Sequence, residues 1–317
     1  MKEATKGILA LVLACTIWGL SGLYYKLLSH VPPLEVLAHR TLWSMAFFGV
    51  VILLNGRLSE VKQVFRDYRT LGIIAVTAVM ISLNWFGFIF SIQSGWAVEA
   101  SLGYYIFPLV AVILGYIMLG ERFGPAQIVA IILALIAVLT LSFGLGATPW
   151  ISLFLAITFG IYGLLKQRVN AGPVLSVFVE VLLISPLAAI WLFGVHTFGW
   201  TGIGNGGSVF GSDLRLSLIL VFSGILTGGP LILFSYASKR LKYSTVGLVQ
   251  YLNPTLQFFV AVLVFNEVFT QWHAIAFPLI WTGLGIYSWQ SWRQERSSRR
   301  ASDTFNTQTS TQGSGES

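Results

Sequence analysis

Charged side chains inside long apolar stretches are the residues of this sequence with the clearest capacity for chemistry. Arg40 and Glu180 each lie within such a stretch, where a charge is costly unless it faces protein or water. A carboxyl group in an apolar environment resists ionisation, so it can take up and release a proton. No basic residue is predicted at the same depth as Glu180. Glu180 is therefore a candidate for an acid that couples proton movement to transport. A protonated carboxyl that only hydrogen-bonds a neighbouring helix is the structural alternative.

Arg40 has a candidate partner in Glu99. Both residues are predicted near the outer face of a membrane, Arg40 within the second apolar stretch and Glu99 at the start of the fourth. A pair between them would lock two helices together. If Arg40 also met an anionic or polar group of a substrate, it would belong to a binding site. The sequence leaves both interpretations open.

Two similar apolar stretches, the fourth and the ninth, each place a tyrosine three residues before a proline. The pairs are Tyr105 with Pro108 and Tyr251 with Pro254. Proline cannot donate a backbone hydrogen bond and crowds the preceding turn, so each proline is expected to break its helix. Matched breaks near the middle of two spans indicate a transporter binding site, and ordinary packing kinks are the alternative.

Polar and aromatic residues inside the apolar stretches complete the predicted site. Those beside the prolines rank highest, because isolated aromatic residues in such helices mostly pack or anchor the membrane interface. The predicted substrate-binding residues are Arg40, Trp43, Asn84, Trp85, Tyr104, Tyr105, Pro108, Gln250, Tyr251, Asn253 and Pro254. Glu99 is predicted to pair helices and Glu180 to couple protons to transport.

Other kinds of chemistry find little support in the sequence. The histidines are dispersed and there is a single cysteine, so neither a metal nor a cofactor is predicted. Gly202, Gly204 and Gly207 have GxGxxG spacing but lack the strand and helix of a dinucleotide site. An intramembrane enzyme acting on lipid or peptide would need paired acids or a nucleophile and base, and the aspartates all fall outside the apolar stretches. That enzyme and a passive channel are the alternative functions.

The composition indicates that membrane-spanning helices carry these residues. The chain of 317 residues is 56% hydrophobic and 10% charged, whereas soluble proteins are about 25% charged. The expected fold class is all-α. At about twenty apolar residues per crossing, ten spans are predicted: 7–27, 34–54, 71–92, 99–119, 125–145, 148–165, 174–194, 214–236, 244–265 and 271–292.

The basic residues predict how the spans are oriented. Sixteen of the nineteen lysines and arginines fall in segments that are cytoplasmic if both termini are cytoplasmic, as the positive-inside rule requires. The positive charge therefore reports topology and not nucleic-acid binding. Five and five spans give two inverted repeats, residues 1–146 and 147–292, and a disordered cytoplasmic tail follows at 293–317.

Short motifs along the chain resemble a known transporter family. AHRTLWS at 38–44 is followed in order by ISLNW, EASLGYYIFPL, LGER and LVQYLNPT. These motifs resemble the RarD-type branch of the EamA transporters in the drug/metabolite transporter superfamily, over nearly all of residues 7–292. Phe107 departs from the pattern, because that family often has asparagine there, while Asn253 keeps the amide in the second repeat.

The resemblance implies export of small metabolites or drugs, and members are often labelled chloramphenicol-related permeases. Together with the repeat, it predicts a secondary transporter that alternates access around a midplane cavity in the plasma membrane. The expected partners are a small-molecule substrate and the lipid bilayer. Protons are one candidate for the coupling ion, and a homodimer is one candidate for the assembly.

Overall fold

Helices make up the secondary structure of the part of the chain that the structure, a computed structural model, describes. The described residues are 3–119, 124–145, 149–166, 168–201, 209–238, 240–241, 249–286 and 289–290. No strand occurs within these ranges. The tail that was predicted to be disordered lies outside them.

The helices follow one another with short connections and overlap each of the predicted spans. A short helix, α3, separates the second and third of these spans. In chain order they are α1 (Glu3–Leu27), α2 (Pro33–Leu54), α3 (Leu58–Arg66), α4 (Tyr68–Ser94), α5 (Ala97–Leu119), α6 (Pro125–Leu145), α7 (Trp150–Lys166), α8 (Pro173–Phe198), α9 (Leu214–Ser238), α10 (Leu252–Phe259) and α11 (residues 271–286).

Local signals in the sequence set several helix ends. Pro33 and Pro173 begin α2 and α8, where the missing N–H of proline costs nothing because the first turn has no acceptor for it. Gly95 and Gly199 end α4 and α8 with positive φ angles of 78° and 64°. Glycine adopts this left-handed conformation without steric penalty, so both helices stop sharply.

Among the residues that the structure describes, five helices are long and apolar enough to cross a membrane, with mean hydropathy between 1.6 and 2.2. They are Thr5–Leu27, Pro33–Leu54, Tyr68–Gln93, Pro173–Phe198 and Leu214–Ala237. Large apolar side chains such as Leu13, Val79 and Ile190 are exposed on the outside of the bundle, as expected where lipid replaces water. The prediction of an all-α membrane protein is confirmed.

Close helix packing depends on glycines at two crossings. A Cβ on Gly103 of α5 would lie 2.8 Å from the carbonyl oxygen of Ser152 in α7. A Cβ on Gly224 of α9 would lie 2.4 Å from the carbonyl oxygen of Trp43 in α2. Small residues let helix backbones approach in a membrane, where packing drives association. These two contacts fix the helices that surround the candidate site.

The prolines act differently on their two helices. Near Pro254, residues 249–250 are helical, Tyr251 forms a turn and α10 begins at Leu252, so the predicted break is present. α5 continues through position 108 as one helix, and the break predicted there is wrong. A proline removes one hydrogen bond, and a helix can continue past it with a kink. The ring of Pro108 lies outside the described side chains.

Candidate functional site

Arg40 on α2 lies at the centre of a cluster of aromatic and hydroxyl side chains. It is 8% exposed. Its Nε donates a hydrogen bond to Thr227 Oγ1 at 3.0 Å and its Nη1 donates to Tyr25 OH at 2.6 Å. The guanidinium lies over the Trp85 ring, 4.0 Å from the centroid. Arg40 therefore connects α2 with α1, α4 and α9.

Glu99 is not the partner of Arg40, so the predicted pair is wrong. Glu99 Oε1 instead lies 3.9 Å from Nε2 of His273 in α11. The two residues were matched by their depth in the membrane, which hydropathy indicates. The direction in which each side chain points around its helix axis depends on which helices pack together. Because α5 packs against α7 and α10, Glu99 does not face Arg40. Glu99 still lies between two helices, but the second is α11.

Asn84 and Tyr104 are brought together, as the predicted site requires. The Asn84 Nδ2 group donates to the Leu155 carbonyl and to Thr158 Oγ1, both at 3.0 Å. Its Oδ1 accepts from Tyr104 OH at 2.9 Å. With both donors used and 1% exposure, the amide joins α4, α5 and α7. A side chain so fully bonded holds the helices in place and has little capacity left for a ligand.

Tyr105 connects the two proline stretches. Its hydroxyl lies 2.6 Å from Oγ1 of Thr255, the residue after Pro254. Because Thr255 Oγ1 donates its own hydrogen to the Tyr251 carbonyl at 2.6 Å, the Tyr105 hydroxyl donates to Thr255. Pro254 is buried beside this contact. The stretch before position 108 and the start of α10 therefore face each other.

The remaining predicted residues divide between the core and their own helices. Trp43 has a buried indole Nε1 with no hydrogen-bond partner in the described part of the chain. Asn253 Oδ1 accepts from Gln257 within α10 at 3.0 Å. Tyr251 packs against the large core cluster, and Gln250 is half-buried. Gln250, Tyr251 and Asn253 lie beside the proline break, whereas Trp43 lies on α2, three residues after Arg40.

Glu180 has a basic partner, so the prediction of an unpaired acid is wrong. Its Oε1 lies 2.5 Å from Lys166 Nζ and 2.7 Å from Thr77 Oγ1, and Tyr162 OH lies 3.4 Å from its Oε2. Glu180 is 1% exposed. Lys166 ends α7 closer to the surface, but its long apolar stem lets the ammonium group reach across to α8.

Several site residues carried no signal in the sequence. Tyr25 and Thr227 bind Arg40, yet an aromatic or hydroxyl residue in an apolar helix is common. Glu267 accepts the backbone N–H groups of Ala97 and Val98 at 2.9 and 2.8 Å, which caps α5.

A second buried acid, Glu35, was also missed. Its Oε1 accepts from the Val209 backbone N–H at 3.1 Å, while Oε2 has no partner in the described ranges. The nearby His39 ring packs at a tilt against the Phe210 ring, with the two centroids 4.6 Å apart. Glu35 stands in the first turn of α2, where an acid is ordinary, so its burial could not be read from its position.

The arrangement offers polar groups that can bind a ligand. Within the described residues, no group of three or more histidine, cysteine or acidic side chains could hold a metal ion. Arg40 and the hydroxyls of Tyr25 and Thr227 instead form a polar patch surrounded by aromatic rings. Such a patch provides a charge and hydrogen bonds for recognition.

Known proteins are similar to this chain in sequence and in fold. The sequence model of the EamA-like transporter family matches residues 5–143. An uncharacterized transporter of Vibrio cholerae serotype O1 is 39% identical, over 95% of this chain and 97% of its own. Protein RarD of Streptomyces exfoliatus is also 39% identical, over 94% of this chain and 93% of its own.

A solved crystal structure supports the same fold at lower sequence similarity. It is 20% identical, covers 92% of this chain and 99% of its own chain, and superposes with a TM-score of 0.58. That likeness speaks for the fold alone. The relatives extend over nearly the whole length, including both proline stretches. The chain therefore belongs to the RarD branch of the EamA-like transporter family, and is a multi-pass membrane transporter.

Proposed function

We propose that the protein is a secondary active transporter of the plasma membrane, which moves a small molecule by alternating access around the Arg40 cluster. The observation that carries this proposal is Arg40 itself. A charged side chain buried among α1, α2, α4 and α9 is costly in a membrane and typically marks a substrate pathway. Family membership supports transport and leaves the substrate open.

The pattern of helix contacts supports ten spans in two inverted repeats, residues 1–146 and 147–292. In such a repeat α1, α2, α4 and α5 correspond to α7, α8, α9 and α10. α1 packs on α9 and α10, and α7 packs on the corresponding α4 and α5. Likewise α2 packs on α9, and α8 packs on α4. Reciprocal contacts of this kind are expected from a two-fold axis in the membrane plane.

The Tyr105–Thr255 hydrogen bond supports placing the transport pathway beside the two proline stretches. These stretches correspond in the two repeats, so their contact lies close to the proposed axis. Interruptions next to such an axis give a helix two discrete arrangements, one for each access state. The turn at Tyr251, immediately before α10, is the point where the backbone would change.

Export of metabolites or drugs is proposed from the family, and proton coupling from Glu180. Since Glu180 is paired with Lys166, the coupling step must exchange a proton on the pair and not on an isolated acid. Separation of α7 from α8 would break the pair and let the carboxyl take up a proton. Both termini are proposed to be cytoplasmic on the distribution of basic residues.

Counterflow in proteoliposomes tests the transport mechanism. Comparison of metabolites released by cells with and without the protein first supplies the substrate. Purified protein is then reconstituted, and uptake of labelled substrate is measured with and without unlabelled substrate on the opposite side. A carrier exchanges faster when the opposite side is loaded. Uptake that is unaffected by opposite loading would identify a passive channel and overturn the proposal.

A further inference from the structure

We propose that the substrate is a small organic anion whose carboxylate pairs with Arg40. This inference rests on the proposed transport function and adds the chemical class of its substrate. It starts from the charge of the site. A guanidinium group stays protonated in proteins, so Arg40 carries a full positive charge. Its partners Tyr25, Thr227 and Trp85 are all neutral.

No acidic side chain of the described ranges forms an ion pair with Arg40. These acids each have an oxygen near a lysine, arginine or histidine side chain, or near backbone N–H groups at loops and helix ends, and Oε2 of Glu35 has no hydrogen-bond partner there. The acids are Glu3, Glu35, Glu60, Asp67, Glu99, Glu180, Asp213 and Glu267. A buried charge without a counter-ion is strongly unfavourable. The positive charge of Arg40 is therefore balanced only when an anion binds.

The hydrogen bonds of Arg40 leave one nitrogen for that anion. Nε is used by Thr227 and Nη1 by Tyr25. Nη2 has no hydrogen-bond partner in the described residues, and it is not fully buried. One free nitrogen of one cation suits a monovalent carboxylate. A phosphate dianion would bring two charges and needs further cations, which the described residues do not place near Arg40.

Aromatic rings beside Arg40 indicate what the rest of the substrate is. Tyr25 packs edge-on against Phe88, and Phe88 packs edge-on against Tyr104, each pair with centroids 5.8 Å apart. The Trp85 ring is already covered by the guanidinium. An aromatic wall next to a single cation favours a carboxylate with an apolar or aromatic body.

Binding to the purified full-length protein tests the charge requirement. The probes are matched acids and amides of nearly equal size: phenylacetate with phenylacetamide, benzoate with benzamide, and hexanoate with hexanamide. Titration calorimetry should show at least one carboxylate binding about ten- to a hundred-fold more tightly than its amide, the range expected for a charge-assisted hydrogen bond. If every amide binds as well as its acid, or phenyl phosphate binds better than phenylacetate, the inference is overturned.

Variants of Arg40 test whether this residue causes the preference for the acid over the amide. Arg40→Gln should abolish the preference for the acid, and Arg40→Lys should keep the charge but weaken binding because the fixed donor geometry is lost. Arg66→Gln removes an exposed charge on α3 and should leave binding unchanged. If Arg40→Gln does not fold, the acid–amide preference of the wild-type protein and of Arg40→Lys decides the question. A preference that survives in a folded Arg40→Gln protein refutes the role of Arg40.

Transport measurements separate this inference from the proposed function. If counterflow occurs only with neutral or cationic compounds and is unchanged in Arg40→Gln, the protein is a carrier and the anion assignment is wrong. If carboxylates bind through Arg40 but no compound shows counterflow, the anion site stands and the transport mechanism fails. Arg40-dependent binding and counterflow of the same carboxylate would establish both.

Discussion

Lys166 and Glu180 form an ion pair whose carboxylate is enclosed, whereas the lysine side chain retains 21% exposure. Removing one member of a buried pair leaves an uncompensated charge. We therefore expect Lys166→Met to lower the unfolding free energy by about 3 kcal/mol, the low end for such pairs. The double variant with Glu180→Gln should recover most of this loss, as measured by thermal unfolding in detergent. Equal losses in the single and double variants would mean that the two residues act independently.

The proposed coupling role of Glu180 makes a separate prediction about pH. Glutamine has no titratable proton, so substrate counterflow and proton-driven uptake should respond differently in Glu180→Gln. Counterflow should persist, while the dependence of net uptake on an imposed pH gradient should disappear. Vesicles containing the wild-type protein and the variant Glu60→Gln, which removes a half-buried carboxyl from α3, are the controls. Full retention of the gradient dependence in Glu180→Gln would exclude the coupling role.

The sequence predicted which residues matter near the site better than it predicted their partners. Arg40, Asn84 and Tyr104 do take part in buried polar networks, because a polar group in an apolar helix needs a partner wherever it lies. Which partner it finds depends on the rotation of each helix about its axis. That rotation is decided by packing, so the bond of Arg40 to Thr227 could not be read from hydropathy.

At the scale of helices, the crossing of α5 and α7 depends on Gly103. A methyl group there would lie 2.8 Å from the Ser152 carbonyl, and Gly103→Ala must push the helices apart. We expect a loss of about 1–3 kcal/mol, as for overpacked cores. Gly163→Ala in α7 is the matched control, because nothing lies within 4 Å of its added methyl group. Thermal unfolding of both variants measures the difference, and similar stability would contradict the close contact.

Asp67 caps α4 at the membrane surface and gives a pH-dependent prediction. Its carboxylate accepts hydrogen bonds from the Thr70 hydroxyl and from the backbone of Thr70 and Arg69, and these bonds lower the pKa of Asp67. A lowered pKa means that the cap is fully present above the ordinary aspartate pKa of about 4 and is lost as pH falls through the folded value.

Hydrogen exchange at the first turn of α4 measures this cap. After correction for intrinsic rates, the Arg69 and Thr70 amides should exchange faster in Asp67→Ala than in the wild type at neutral pH. The difference should shrink as pH falls below the ordinary aspartate value of about 4 and through the lowered pKa of Asp67, where the wild-type carboxyl protonates. Asp67→Asn keeps an oxygen acceptor, so its amide exchange rates should lie between those of the wild type and Asp67→Ala. An unchanged difference at acid pH would show that the charge is irrelevant to the cap.

The positions of the helices were predictable because a membrane imposes a local rule. Backbone groups in lipid must be bonded within their own helix, so apolar length alone predicts a helix. The break at Tyr251 follows the same logic, since Pro254 cannot donate to the preceding turn. Whether α5 would break at Pro108 depends on its neighbours, and here the sequence prediction failed.

At the scale of the whole molecule, the two halves of the chain are interleaved. α1 packs on α9 and α10, α2 on α8 and α9, and both α4 and α5 on α7. Residues 1–146 produced alone should therefore be degraded or aggregate, and simultaneous production of residues 147–317 should restore a complex. Co-purification and protease resistance measure this outcome. A monodisperse, protease-resistant first half would contradict the dependence of each half on the other.

Interleaving also has a consequence for biosynthesis. Arg40 enters the bilayer with α2, but the Thr227 hydroxyl that binds it arrives only when α9 has left the ribosome. During translation of the intervening residues, the nascent chain carries a cation that lacks one of its final hydrogen-bond partners. The insertion machinery or a membrane chaperone must shield it, and a chain that terminates before α9 becomes a substrate for quality-control proteases.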